Sequence, residues 1–216
     1  MTLLHDRRSF VSALASATGL AALDAQVSAQ APARGPAAAQ FDLTWFDAFK
    51  GVHKQMYDYG TYELPGDTRP LRFVMNYLDT YRDVFGLEGA SVNTAVGASR
   101  SAFPLNVSDA IWQKYKIGER FKIDDPTTKQ PAVRNIFLTE GGPASIKALQ
   151  ARGTVFWQCN VALTAIAGQI AQSVGAPAAD VRAELIAGLN PGVHLVPAHV
   201  MAIGIAQERG FTYMKT

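Results

Sequence analysis

"TVFWQCNVALTAIAGQIAQSVG", residues 154–175, decides the fold. Its first six residues include β-branched and aromatic types, the composition of a strand. From Asn160 onward the residues are good helix formers, and Gly175 suits a helix stop. No turn residue separates the two runs. A strand feeding straight into a helix is the opening of a β-α-β unit.

The pattern continues towards the carboxyl end. "PAADVRAELIAGL" (177–189) predicts a second helix and "GVHLVPA" (192–198) a strand broken by Pro197. "HVMAIGIAQERG" (199–210) predicts a helix, and "FTYMK" (211–215) a last short strand. Towards the amino end, "GVHKQMYDYG" (51–60) alternates as a first strand does. "DTRPLRFVMNYLDTYRDVFG" (67–86) carries Leu71, Val74, Leu78, Tyr81 and Phe85 at helical spacing. Asp67 or Thr68 can cap that helix, and Gly86 stops it. "GASVNTAVGAS" (89–99) predicts strand two, and short helices are expected in 106–115 and 142–153. Strands that alternate with helices and are nearly all apolar indicate a parallel sheet covered on both faces. The expected fold is α/β: five parallel strands in an open three-layer sandwich.

Residues 116–141 are polar, contain Pro126 and Pro131, and have weak periodicity. They predict a long insertion, with a small hairpin around "DDPTTKQ". Inserts of this length usually serve function or a partner. Asp124 and Asp125 in it predict a solvated turn rather than a catalytic pair.

The first forty residues carry an address. Arg7-Arg8, a mild apolar stretch, and small residues Val27 and Ala29 occur in the order of a signal peptide. The Arg-Arg-x-Phe pattern resembles a twin-arginine (Tat) signal. The expected organisation is a signal over 1–29, an Ala/Pro-rich linker over 30–40, and one domain over 41–216. The mature protein is then expected in the periplasm, without a membrane anchor. The formal net charge of +2 and the lack of a Lys/Arg cluster argue against a nucleic-acid partner. No Gly-x-Gly-x-x-Gly or phosphate-loop motif signals a nucleotide, and no cofactor is expected.

Cys159 is the chain's one cysteine. An internal disulfide and dithiol chemistry are therefore excluded. Two readings stay open: a small buried apolar residue, or a nucleophile at a strand–helix junction. A Cys159–His199 metal site lacks an evident third ligand, so no metal is expected.

The stretch from Cys159 to Thr216 resembles the DsrE/DsrF-like family. "VFWQCNVAL" and "NPGVHLVPAHVMAIGIAQERGFTYMKT" carry the likeness. The resemblance implies a flavodoxin-like five-stranded fold, homo-oligomers, and in some members a cysteine that carries a persulfide; Cys159 matches that position. The partner expected is a small sulfur compound or a partner protein. With strand order 2-1-3-4-5, Cys159 would lie opposite the end of strand one, near Tyr57, Asp58 and Tyr59. The following helix start, beginning at Asn160, favours negative charge on sulfur. His199, past strand four, is the expected helper when protonated. His194 is expected to point into a helix layer. Gly97 and Arg100, at the end of strand two, are candidate binding residues with Asn160 and Asp58. Arg100 could hold an anion or sit in an ordinary surface turn. Trp45, Trp112 and Trp157 read as packing. The alternative to sulfur handling is a non-catalytic module that binds a small ligand or a partner protein.

Overall fold

A computed structural model describes residues 41–60 and 70–216. The expected signal and linker, and the cap candidates Asp67 and Thr68, lie outside the described residues. Five strands form where the apolar runs predict them: β1 His53–Tyr59, β2 Val92–Ala98, β3 Val155–Cys159, β4 Val193–Val196 and β5 Thr212–Lys215. All pair in parallel. The helices are α1 Arg72–Phe85, α2 Asp109–Lys114, α3 Ile117–Phe121, α4 Ile146–Ala151, α5 Asn160–Val174, α6 Ala178–Ala187 and α7 His199–Glu208.

The two-residue period of a strand divides its side chains between two faces. One face gathers Tyr57, Tyr59, Val96, Ala98 and Phe156, and it packs against α1, α4, α5 and α6. The other gathers Met56, Ala95, Trp157 and Val196. It is covered by Ala202 and Ala206 of α7 and by Trp45 and Phe46 from a 3₁₀ segment, Thr44–Ala48. The result is the expected three-layer α/β/α sandwich. His194 stacks on Trp45 with ring centroids 4.6 Å apart, in the α7 layer.

The strand order is β4-β3-β2-β1-β5, and it corrects the expected flavodoxin-like 2-1-3-4-5. β2 stands between β1 and β3. The physical reason lies in the crossovers. Those from β1 to β4 keep their helices on one face and step the chain one way. The last runs through α7 on the other face and returns to the free side of β1. A crossover of fixed hand that reverses direction must change faces. Adjacent strands whose connections leave on opposite faces are therefore β3, which feeds α5, and β4, which feeds α7. The crevice of an open parallel sheet opens at such a point, beyond the carboxyl ends of the strands.

The insertion over 116–141 is packed, not a free arm. Ile117, Ile123, Ala132, Ile136 and Phe137 join the core. Asn135 is 2% exposed, and its Nδ2 donates to the carbonyls of Leu105 and Val107 at 3.0 and 2.8 Å. Its Oδ1 accepts from the Phe137 N–H, and Asp109 Oδ1 accepts from the Asn135 N–H. Asp124 bridges Pro131, giving the small hairpin expected around "DDPTTKQ". Asp125 accepts from the N–H groups of Thr127 and Thr128, which makes the pair a turn rather than a catalytic dyad. Asn135→Ala is expected to cost about 1–3 kcal/mol in urea unfolding, because buried carbonyls lose their donors. A loss below about 0.5 kcal/mol would show that the insert is held some other way.

Candidate active site at the β3–β4 crevice

Strand register builds one row across the sheet. Lys215, Asp58, Gly97, Trp157 and His194 are successive Cα partners from β5 to β4. Asp58, Gly97 and Trp157 lie on the α7 face, and so does Cys159, two residues past Trp157. α7 begins at His199 directly above this row.

His199 spans the row. The Trp157 Nε1–H donates to His199 Nδ1 at 3.0 Å, and His199 Nε2 meets Asp58 Oδ1 at 2.7 Å. The indole nitrogen donates and cannot accept. Nδ1 is therefore the bare nitrogen, and the ring proton sits on Nε2, donated to Asp58. The space for the ring comes from Gly97. A Cβ there would lie 2.5 Å from His199 Cε1 and 2.4 Å from Trp157 Cε2. Any larger residue at 97 would collide with both rings.

Asp58 is held from two sides. Its Oδ2 accepts from the Tyr213 O–H at 2.7 Å. Burial works to raise its pKa, but the hydrogen bonds from His199 and Tyr213 and the electrostatic pull of His199 and Lys215 outweigh it. Its carboxyl is held below the usual Asp value.

Cys159 is 5% exposed and is the residue before α5. Its Sγ accepts from the main-chain N–H of Ala162 at 3.4 Å, and from the main-chain N–H of His199 at 3.3 Å. Two helix starts, those of α5 and α7, thus aim a donor at one sulfur. Negative charge on that sulfur is stabilised by both donors and by both dipoles. The thiol borders a cavity of about 410 Å³ that is also lined by Asp58, Ser99, Arg100, Val161, Ala165 and Lys215.

The expected helper role of His199 needs correction. Its ring does not address the sulfur, because both ring nitrogens are engaged with Trp157 and Asp58; its main-chain N–H does. A protonated ring would have to break the Trp157 bond. A Cys-His-Asp triad is absent for the same reason. Asp58 does lie in the site, and Arg100 is on the cavity wall at φ +47°. Asn160 does not bind there: its Oδ1 accepts from Arg182 at 2.6 Å and ties α5 to α6. Gly97 makes room rather than contacts. Tyr57 and Tyr59 point to the opposite face and donate to the carbonyls of Phe73 and Pro70. Among the described residues no cluster of three or more metal-ligating side chains occurs, and no helix is long and apolar enough to cross a membrane.

Sequence reasoning missed Trp157, Tyr213 and Lys215 as parts of the site. A signal existed for Trp157. It shares a strand face with Cys159 by the two-residue period, and a buried indole N–H needs an acceptor.

Two measurements follow. Gly97→Ala is expected to lose about 1–3 kcal/mol, the usual cost of overpacking, together with the downfield indole N–H resonance of Trp157. Retention of that resonance would mean that the ring stack does not depend on the missing Cβ. The second concerns acid. A carboxyl whose folded pKa is depressed contributes stability above its ordinary pKa, and loses it as pH falls through the folded one. Melting temperature is expected to fall as pH drops below about 4, the ordinary Asp value, and less steeply in Asp58→Asn. Equal slopes would remove Asp58 as a source.

No family model matches this chain, and no curated protein matches it. A solved structure of a protein of unknown function from Methanobacterium thermoautotrophicum is similar at 15% identity and a TM-score of 0.41, over 76% of this chain and 99% of that one.

Proposed function

We propose that this protein is an exported sulfur-handling protein in which Cys159 holds sulfane sulfur as a persulfide. One observation carries the reading: the chain's single thiol borders a cavity with two main-chain N–H donors on its sulfur. A thiolate so held attacks the sulfane sulfur of a polysulfide. A new S–S bond forms at Cys159, and the donor's S–S bond breaks. The shortened polysulfide leaves with the electron pair and takes up the proton that the thiol released. No outside oxidant is needed. An acceptor thiol removes the sulfur by the reverse exchange. The amino-terminal twin-arginine pattern and the DsrE/DsrF-like motifs support a periplasmic setting and a homo-oligomer.

The cavity beside the thiol also favours a second reading, a module that binds a small ligand without chemistry. Intact mass after polysulfide treatment separates the two. The expected result is a gain of one sulfur atom, removed by dithiothreitol and absent in Cys159→Ala. No gain, with a thiol inert to iodoacetamide, would leave the binding module.

A further inference from the structure

The walls of the Cys159 cavity differ in chemistry. On one side stand Val161, Ala165 and Ile203, from the first two turns of α5 and α7. Val161 and Val200 at the mouth are 62% and 77% exposed, unusual for valine. The other side carries two cations, Arg100 and Lys215, and one carboxylate, Asp58. Both Asp58 oxygens are taken, by His199 and Tyr213. Lys215 acts on Asp58. Arg100, an exposed residue, lines the cavity, and its side chain has no hydrogen bond or ion pair among the described residues. Among the described side chains that line the cavity, two cations face one carboxylate. At about 410 Å³ the cavity falls in the range that holds organic ligands, far above the size of a tetrahedral oxyanion.

We propose that this cavity binds an organic monoanion, with its acid group on Arg100 and its apolar body along Val161, Ala165 and Ile203. A guanidinium grips a carboxylate or other planar acid through paired N–H donors. The aliphatic wall gains by leaving water when a chain or ring lies on it. A small inorganic anion satisfies the cation but leaves that wall wet. The inference rests on the Cys159 cavity being the working site, as the sulfur reading does, but not on sulfur transfer.

Octanoate is the probe, with acetate and sulfate for comparison. Cys159 alkylation by iodoacetamide is followed by intact mass. Octanoate is expected to slow alkylation saturably, while acetate and sulfate at equal ionic strength leave the rate unchanged. Calorimetric titration of octanoate into Cys159→Ala is expected to give the same affinity, which frees the result from thiol chemistry. Arg100→Gln is expected to weaken octanoate about tenfold or more, the scale of one lost charge-assisted contact. Ala165→Glu, at an exposed helix position that tolerates a good helix former, is expected to abolish binding while the far-ultraviolet spectrum stays native. Protection by sulfate equal to that by octanoate would overturn the proposal. So would octanoate affinity unchanged in Arg100→Gln, or no binding at all. Octanoate binding without a persulfide adduct would remove the sulfur reading and leave this one standing. An adduct without octanoate binding would do the reverse.

Discussion

The imidazole of His199 is the piece on which the site depends. It lies across β2 and joins a tryptophan on β3 to an aspartate on β1. Three conditions must hold together for that. Strand register must align Asp58, Gly97 and Trp157, residue 97 must lack a Cβ, and α7 must start above the row. Once the ring is fixed, so is the first N–H of α7, which points at Cys159 Sγ. The side chain of His199 thus serves to aim its own backbone. Of the hydrogen bonds that locate the ring, that from Trp157 is buried and that to Asp58 partly so; an unmade bond there is expensive, so the helix start has little freedom to drift.

This arrangement shifts chemistry from side chains to the main chain. Among the described residues, the sulfur meets no imidazole or ammonium at bonding distance. It meets two peptide N–H groups, which carry no titratable proton and keep their donor character at any pH that leaves the helices intact. A network of charged and aromatic groups stands one layer behind and sets geometry only. Asp58 exemplifies that division: it faces the cavity, yet both its oxygens are spent on His199 and Tyr213.

Much of the fold was legible because local rules dominate it. The run from Thr154 to Gly175 became a strand and a helix with no turn, as its composition requires. All five strands lie in the stretches whose composition predicts them. The strand order was not legible. Nothing in residues 99–154 says whether β3 lands beside β1 or β2, because that choice is made by packing of the long crossover. Its buried Asn135 reads in sequence as one more polar residue of a loop. The site was half legible. Cys159, Asp58 and Arg100 followed from strand ends, and His199 from its place after Pro197. The assignment of a role to the His199 ring failed because the partners of a ring are set across strands, and sequence spacing carries no cross-strand register. Gly97 looked like a contact residue and proved to be a vacancy for two rings.

The β1–β5 pairing has a kinetic side. Tyr213 and Asp58 are separated by 155 residues, and Thr212 pairs with Gln55 across a similar gap. Closing so long a loop is slow and entropically unfavourable until the intervening sheet exists to repay it. β1 to β4 are each nearest neighbours in both sequence and sheet, so they can assemble stepwise. β5 has only four residues and one partner strand, yet it carries two of the groups that act on Asp58, Tyr213 and Lys215. The last strand of the chain thus supports a carboxylate on the first.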